Sequence, residues 1–336
     1  MHDGILGLIG HTPLIQLSRY LADSPLELYA KLEFYNPGGS IKDRPALNML
    51  QDALTQGLID ADSTLIESSS GNLGVGLAQA CGYLGLRFIC VTDARATVMN
   101  RCILEAYGAM VDVVTEPDPV VGTFLAARLK RVQHLLDTIP NSFNCNQYTN
   151  PLNPAAHHQT IDEIMETLGG NVDYIFCATS TCGTLRGFAD YIAEHGLSTQ
   201  LIAVDAVGSV IFGDTPKPRL IPGHGAGVTP MHYRPGLEDA FLHVSDLDCI
   251  VGCRRLMRRE AIFAGGSSGG VLYAVESMRD RLPPGSTCVI VLADRGARYL
   301  DTIYNDEWVC THFGQVTHLW EGIPYSGNVL IPSGHE

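Results

Sequence analysis

Short apolar β-rich runs alternate with stretches of helical periodicity along most of the 336 residues, and this alternation leaves few folds open. Strands separated by whole helices cannot close into tight hairpins. They pair in parallel, with the helices returning across the faces of the sheet. Strands are expected over 26–32, 63–67, 87–91, 110–114, 174–178, 201–205 and 287–292. Helices are expected over 40–56, 71–84, 98–107, 120–137, 155–168, 184–195, around 251–263 and over 269–281. Two such sets follow one another, which implies an α/β chain of two doubly wound domains with mostly parallel sheets. The Asn- and Pro-rich stretch 144–154 lies between them and suits a crossing point.

Charge and composition exclude several roles. A net charge of −14 disfavours a nucleic-acid surface, which needs clustered Lys and Arg, but permits a locally basic pocket. No apolar run is long enough to span a bilayer, and the first residues lack the pattern of a secretory leader. The ten cysteines are scattered, without a CxxC pair or zinc-like spacing. Free thiols in a reducing compartment are the expectation, and with them a cytoplasmic protein without metal, membrane or nucleic-acid partners.

Chemistry is concentrated in glycine-containing turns at expected strand ends, where open α/β sheets bind ligands beside helix N-termini. Three of them are Ser68-Ser69-Ser70-Gly71-Asn72-Leu73-Gly74, Thr179-Ser180-Thr181-Cys182-Gly183-Thr184 and Gly265-Gly266-Ser267-Ser268-Gly269-Gly270. None is a nucleotide-binding P-loop, and no GxGxxG opens the first strand–helix unit. The fourth is Asn36-Pro37-Gly38-Gly39-Ser40-Ile41-Lys42-Asp43-Arg44. A lysine in the first turn of a helix faces the positive end of the helix dipole, which disfavours its own charge. Burial there would favour the neutral amine, the form that attacks an aldehyde.

Taken together, and with Ile9-Gly10-His11-Thr12-Pro13-Leu14 and Asn150-Pro151-x-Asn153-Pro154-x-x-His157, these turns resemble the cysteine synthase and cystathionine β-synthase family of fold-type II pyridoxal-phosphate enzymes. The likeness runs from residue 9 to about residue 304, with the motifs in order and at matching spacing. It implies pyridoxal 5'-phosphate as cofactor, with Lys42 as the catalytic lysine that carries it as a Schiff base. Asn72 would face the cofactor's ring oxygen, Ser180, Thr181, Cys182, Gly183 and Thr184 would cradle its phosphate, and Ser267 would meet its ring nitrogen. Ser69, Ser70, Gly71 and Leu73 would bind the substrate carboxylate, with Gln147 and Tyr148 bordering the substrate.

The resemblance further implies a smaller, mobile substrate-binding domain (1–12 and 36–147), a larger phosphate-binding domain (13–35 and 148–314), an appendage (315–336) and a homodimer. A neutral serine at the ring nitrogen makes the cofactor a weaker electron sink, which favours loss of a β-substituent over transamination. The implied reaction is β-replacement through an α-aminoacrylate. Three departures stand out: Ser180 and Cys182 occupy positions where the cradle usually has glycine, Leu73 stands for a common threonine, and Asp93-Ala94-Arg95 replaces a proline-containing stretch.

The stretches Val204–Phe212 and Pro218–Gly223 look most like the siderophore-pathway branch, the N-(2-amino-2-carboxyethyl)-L-glutamate synthases. That likeness implies O-phospho-L-serine as donor, the amine of L-glutamate as nucleophile, and a product leading to 2,3-diaminopropionate. Sulfide as nucleophile, giving a cysteine synthase, is the alternative, and a non-catalytic cofactor-binding relative is a third. Cationic groups for a dianionic acceptor are expected from the Gly- and Pro-rich stretch holding Lys217 and Arg234, or from Arg95. His157 is expected to pack or cap, and Asp43 and Arg44 to make local charge contacts.

Overall fold

The computed structural model describes residues 4–321, and the chain forms two sheets with helices packed on both faces of each. After β1 (Leu14–Gln16) and β2 (Glu27–Leu32) come α1 (Asp43–Thr55), β3 (Thr64–Ser68), α2 (Asn72–Leu84), β4 (Arg87–Asp93), α3 (Val98–Ala106), β5 (Met110–Val114), α4 (Phe124–Thr138) and β6 (Ser142–Phe143). The chain continues through α5 (Leu152–Ala155), α6 (His158–Thr167), β7 (Tyr174–Ala178), α7 (Gly183–Glu194), β8 (Gln200–Ala206) and β9 (Ala240–Val244). It then forms α8 (Asp246–Glu260), α9 (Gly266–Met278), β10 (Thr287–Leu292) and α10 (Asp306–Phe313). One sheet has the order β5-β4-β3-β6, the other β1-β2-β10-β7-β8-β9. Every pairing is parallel except β1 with β2.

Period-two burial explains the layering. In the six-stranded sheet, Ala30, Phe176, Val204 and Ile290 point into a core completed by Ile250 of α8 and Val271 of α9. Their strand neighbours Ile175, Ala203 and Val289 point the other way, onto Ile161 of α6 and Phe188 of α7. In the four-stranded sheet, Leu65 and Phe88 meet Leu50 of α1 and Leu77 of α2, while Ile66 and Ile89 meet Val132 of α4. Both faces of each sheet are therefore dry, which is why these strands read as continuous apolar runs.

Several elements differ from the sequence reading. Helix α4 starts at Phe124 rather than 120, because Asp118 accepts from the N–H groups of Val120 and Val121 and bends that stretch into a turn. Thr123 then caps the helix through Ala126 N–H. The helix expected over 155–168 is two, α5 and α6, separated at Ala156 and His157. Helix α8 starts five residues earlier than expected, at a capping box between Ser245 and Asp248. Within residues 315–321, Trp320 is 1% exposed in the larger core and lies under the Arg254 guanidinium. Residues 322–336 lie outside the described residues.

Candidate active site

The four turns singled out above sit at helix N-termini: Lys42 caps α1, Asn72 opens α2, Gly183 opens α7 and Ser267 lies in the first turn of α9. Three of these helices follow strand carboxyl ends or pack against them. This is where a parallel sheet presents N–H groups to a ligand.

The lysine turn is held by its own backbone. Gly38 N–H donates to Asp43 Oδ2 at 2.5 Å, and a Cβ on Gly38 would lie 2.6 Å from Asp43 Oδ1, so a larger residue would displace that carboxylate. Gly39 has φ +84°, in the left-handed region. Ser40 Oγ accepts from Lys42 N–H at 3.2 Å. Desolvation lowers the Lys42 pKa, opposed by the nearby Cys177, Cys182 and Asp294. The amine is thereby biased toward its neutral, nucleophilic form.

Arg44 makes no merely local contact. Its guanidinium reaches Glu33 and Glu163 at 2.7–2.8 Å, and Lys31 meets Glu163 at 2.6 Å. All four side chains are at most 8% exposed. The network ties α1 to β2 and α6 and anchors the turn that carries Lys42.

In the turn after β3, Ser69 Oγ accepts from Gly74 N–H at 2.9 Å and Gly71 N–H at 3.3 Å, so this hydroxyl caps α2. Ser70 Oγ donates to Asp93 Oδ2 at 2.8 Å and accepts from Arg128 Nη1 at 2.6 Å. Arg128 Nε lies 3.1 Å from Asp93 Oδ2, with the arginine side chain 11% exposed. Leu73 is buried in the core of this sheet. Gln147 Nε2 and the Tyr148 hydroxyl both donate to Ser68 O, at 2.7 and 3.2 Å, bringing the crossing segment to the same turn.

In the turn after β7, Cys182 is in the left-handed conformation, φ +63°. It takes the backbone path of a glycine at the cost of roughly 1–2 kcal/mol. A Cβ on Gly183 would lie 2.5 Å from Asn153 Oδ1, so a side chain there would displace the Asn153 amide. Thr184 Oγ1 is 3.3 Å from Nε2 of the fully buried His157. Ser180 and Thr181 are half-buried beside them.

The first turn of α9 packs on Asp294: Gly265 N–H donates to Asp294 O at 2.9 Å, and Ala293 N–H donates to Ser268 Oγ at 3.1 Å. Asp294 in turn accepts from Asn72 Nδ2 at 2.9 Å, and Arg298 donates to both Asn72 Oδ1 and Gly38 O. Asp294 and Arg298 thus bring the turns of Lys42, Asn72 and Ser267 together. Sequence reading missed both; their one signal was a position just past the last strand, at a carboxyl end. Arg128 was missed as well, since it lies within an ordinary amphipathic helix.

In the long loop before β9, two arginines are engaged by neighbours and one histidine reaches the crossing segment. Arg234 pairs with Asp190 at 2.8 Å, Arg219 donates to Gly208 O, and His232 lies 2.9 Å from Gln147 O. Arg95 stacks over Phe124.

A desolvated lysine amine, a helix-start turn lined with hydroxyls and N–H groups, and a fixed amide between them fit pyridoxal phosphate: an amine for the aldehyde, a cradle for the dianion and a donor for the ring oxygen. The family described as "Pyridoxal-phosphate dependent enzyme" matches residues 5–294. The chain belongs to this family. It is a pyridoxal-phosphate-dependent enzyme of the cysteine-synthase-like, β-replacement type. Solved relatives agree in fold along nearly the whole chain. A hydrogen sulfide-producing enzyme from Fusobacterium nucleatum is 32% identical, with TM-score 0.83, over 89% of this chain and 100% of its own. An O-acetylserine dependent cystathionine beta-synthase from Helicobacter pylori is 31% identical, with TM-score 0.83, over 91% and 99%. An O-ureido-L-serine synthase is 27% identical, with TM-score 0.83, over 98% of both chains. Among the described residues no helix is long and apolar enough to cross a membrane.

Proposed function

We propose that this pyridoxal-phosphate enzyme replaces the phosphate of O-phospho-L-serine with the amine of L-glutamate, giving N-(2-amino-2-carboxyethyl)-L-glutamate, a precursor of 2,3-diaminopropionate in siderophore synthesis. The observation that carries the reading is Arg128, a nearly buried guanidinium shared between Asp93 and Ser70, the latter on the turn expected to bind substrate. In a chain of net charge −14, an anionic donor and a dianionic acceptor need such a local cation, and guanidinium suits phosphate and carboxylate alike.

In this reading Lys42, Asn72, Ser180–Thr184 and Ser267 hold the cofactor, whose ring withdraws electrons and makes the Cα–H of a bound amino acid removable. The N–H groups at the start of α2 hold the substrate carboxylate, and Ser69 keeps them in place through its cap. Lys42 takes the Cα proton; the Cβ–O bond breaks and phosphate leaves. The glutamate amine then bonds to Cβ and loses a proton, and Lys42 returns one to Cα. Arg128 holds the anionic group nearest Ser70 throughout.

Sulfide as nucleophile is the second reading, favoured by the likeness to the hydrogen sulfide-producing enzyme and the O-acetylserine dependent synthase. Mass spectrometry of the product separates the two. With O-phospho-L-serine and an equimolar mixture of glutamate and sulfide, the glutamate adduct is expected to dominate; cysteine as sole product would overturn the first reading.

A further inference from the structure

The Asn72 side chain sits between two groups of opposite hydrogen-bonding character. Its Oδ1 accepts from Arg298, and its Nδ2 donates to Asp294 Oδ2 at 2.9 Å. A guanidinium can only donate, and an ionised carboxylate can only accept. Rotating the amide by half a turn would set donor against donor and acceptor against acceptor. Both outer groups are themselves fixed: Asp294 is 2% exposed and accepts from the Tyr299 hydroxyl at 2.5 Å, and Arg298 is 6% exposed and also donates to Gly38 O. An amide nitrogen carries two hydrogens, and Asp294 takes one of them.

We propose that Asp294 and Arg298 are positioning residues that fix the polarity of the Asn72 amide, so that its N–H side rather than its carbonyl meets the ring oxygen of pyridoxal phosphate. Without them an asparagine could turn either edge to the ligand, and one of those edges repels a phenolate-like oxygen. The same arginine bonds the backbone of the lysine turn, so the amide is set in register with Lys42. The inference rests on the reading of Asn72 as the cofactor's ring-oxygen partner.

A double-mutant cycle tests it, with the affinity of the apoprotein for pyridoxal phosphate and the visible absorption band of the bound cofactor as readouts. Asn72→Ala and Arg298→Met are each expected to weaken cofactor binding by about tenfold, the loss of one charge-assisted or ring-oxygen hydrogen bond, and to shift the band in the same direction. In the double variant, Arg298→Met is expected to add less than about twofold, because it acts through Asn72. Losses that multiply in the double variant would show that Arg298 only braces the lysine turn, and would overturn the proposal while leaving the reading of Asn72 intact. No change of affinity or band in Asn72→Ala would overturn that reading, and the proposal with it. Should Arg298→Met fail to fold, Arg298→Lys enters the same cycle with the same outcomes.

Discussion

Arg128 shares its guanidinium between the Ser70 hydroxyl and the Asp93 carboxylate, with the side chain 11% exposed. A cation so placed should act on charge and little on shape. Arg128→Met is therefore expected to raise KM for O-phospho-L-serine by about tenfold, while kcat/KM for O-acetyl-L-serine, whose bound ester is uncharged, stays within about twofold, as read by steady-state kinetics with both donors. Equal losses for both donors would mean that Arg128 merely shapes the Ser70 turn. The turns that hold Lys42 and Asn72 at helix starts are legible in the sequence because each is a short, local motif. Arg128, Asp294 and Arg298 are not: Arg128 stands 58 residues from Ser70, and Arg298 stands 226 from Asn72. No local pattern marks a partner that distant.

At the scale of elements, α1 is held by charge as much as by its apolar face. Arg44 on its first turn is buried between Glu33 beside β2 and Glu163 on α6. Removing the arginine leaves two carboxylates without their main partner in a dry site, which costs about 3–5 kcal/mol. Arg44→Met is expected to lower unfolding stability by that amount in urea titrations. The accompanying loss of cofactor affinity should be larger than for an apolar truncation elsewhere on α1, such as Leu50→Ala, because the network anchors the Lys42 turn. The helices were readable where apolar spacing runs out at a left-handed glycine, Gly85 after α2 and Gly196 after α7. They were misjudged where a side chain bends the approach, as Asp118 does before α4, or where a short turn divides one pattern, as at His157.

The whole molecule carries two opposed sets of buried titrating groups. Burial lowers the pKa of His157, His224 and His232, so they stay neutral when folded; the stability they contribute is present above the ordinary histidine pKa and is lost as pH falls through it. Burial pushes Asp43 and Glu67 up to about 7, so they fold protonated; their contribution is full at low pH and is lost as pH rises through about 7. Glu163 is the reverse case: despite its burial, Arg44 and Lys31 hold it down to about 2, and its contribution is lost as pH falls from the ordinary carboxylate range toward that value. Urea midpoints are expected to change little between pH 7 and 5, where the first two sets oppose, and to fall below about 4.5. In Asp43→Asn the 7-to-5 window should tilt toward loss on acidification; a flat profile there would show that Asp43 does not titrate on unfolding. The sequence by itself determined that the chain is parallel α/β with glycine turns at its helix starts, because strand–helix alternation and turn chemistry act over a few residues. Tertiary structure alone decided which distant side chains complete those turns. Arg128 on Ser70, and Asp294 with Arg298 on Asn72, meet only after sheets and helices have packed, and in a buried site each polar group must find its partner wherever the fold delivers one. Lys42 is thus a local feature of the chain, and the setting that aims its neighbours is a property of the fold.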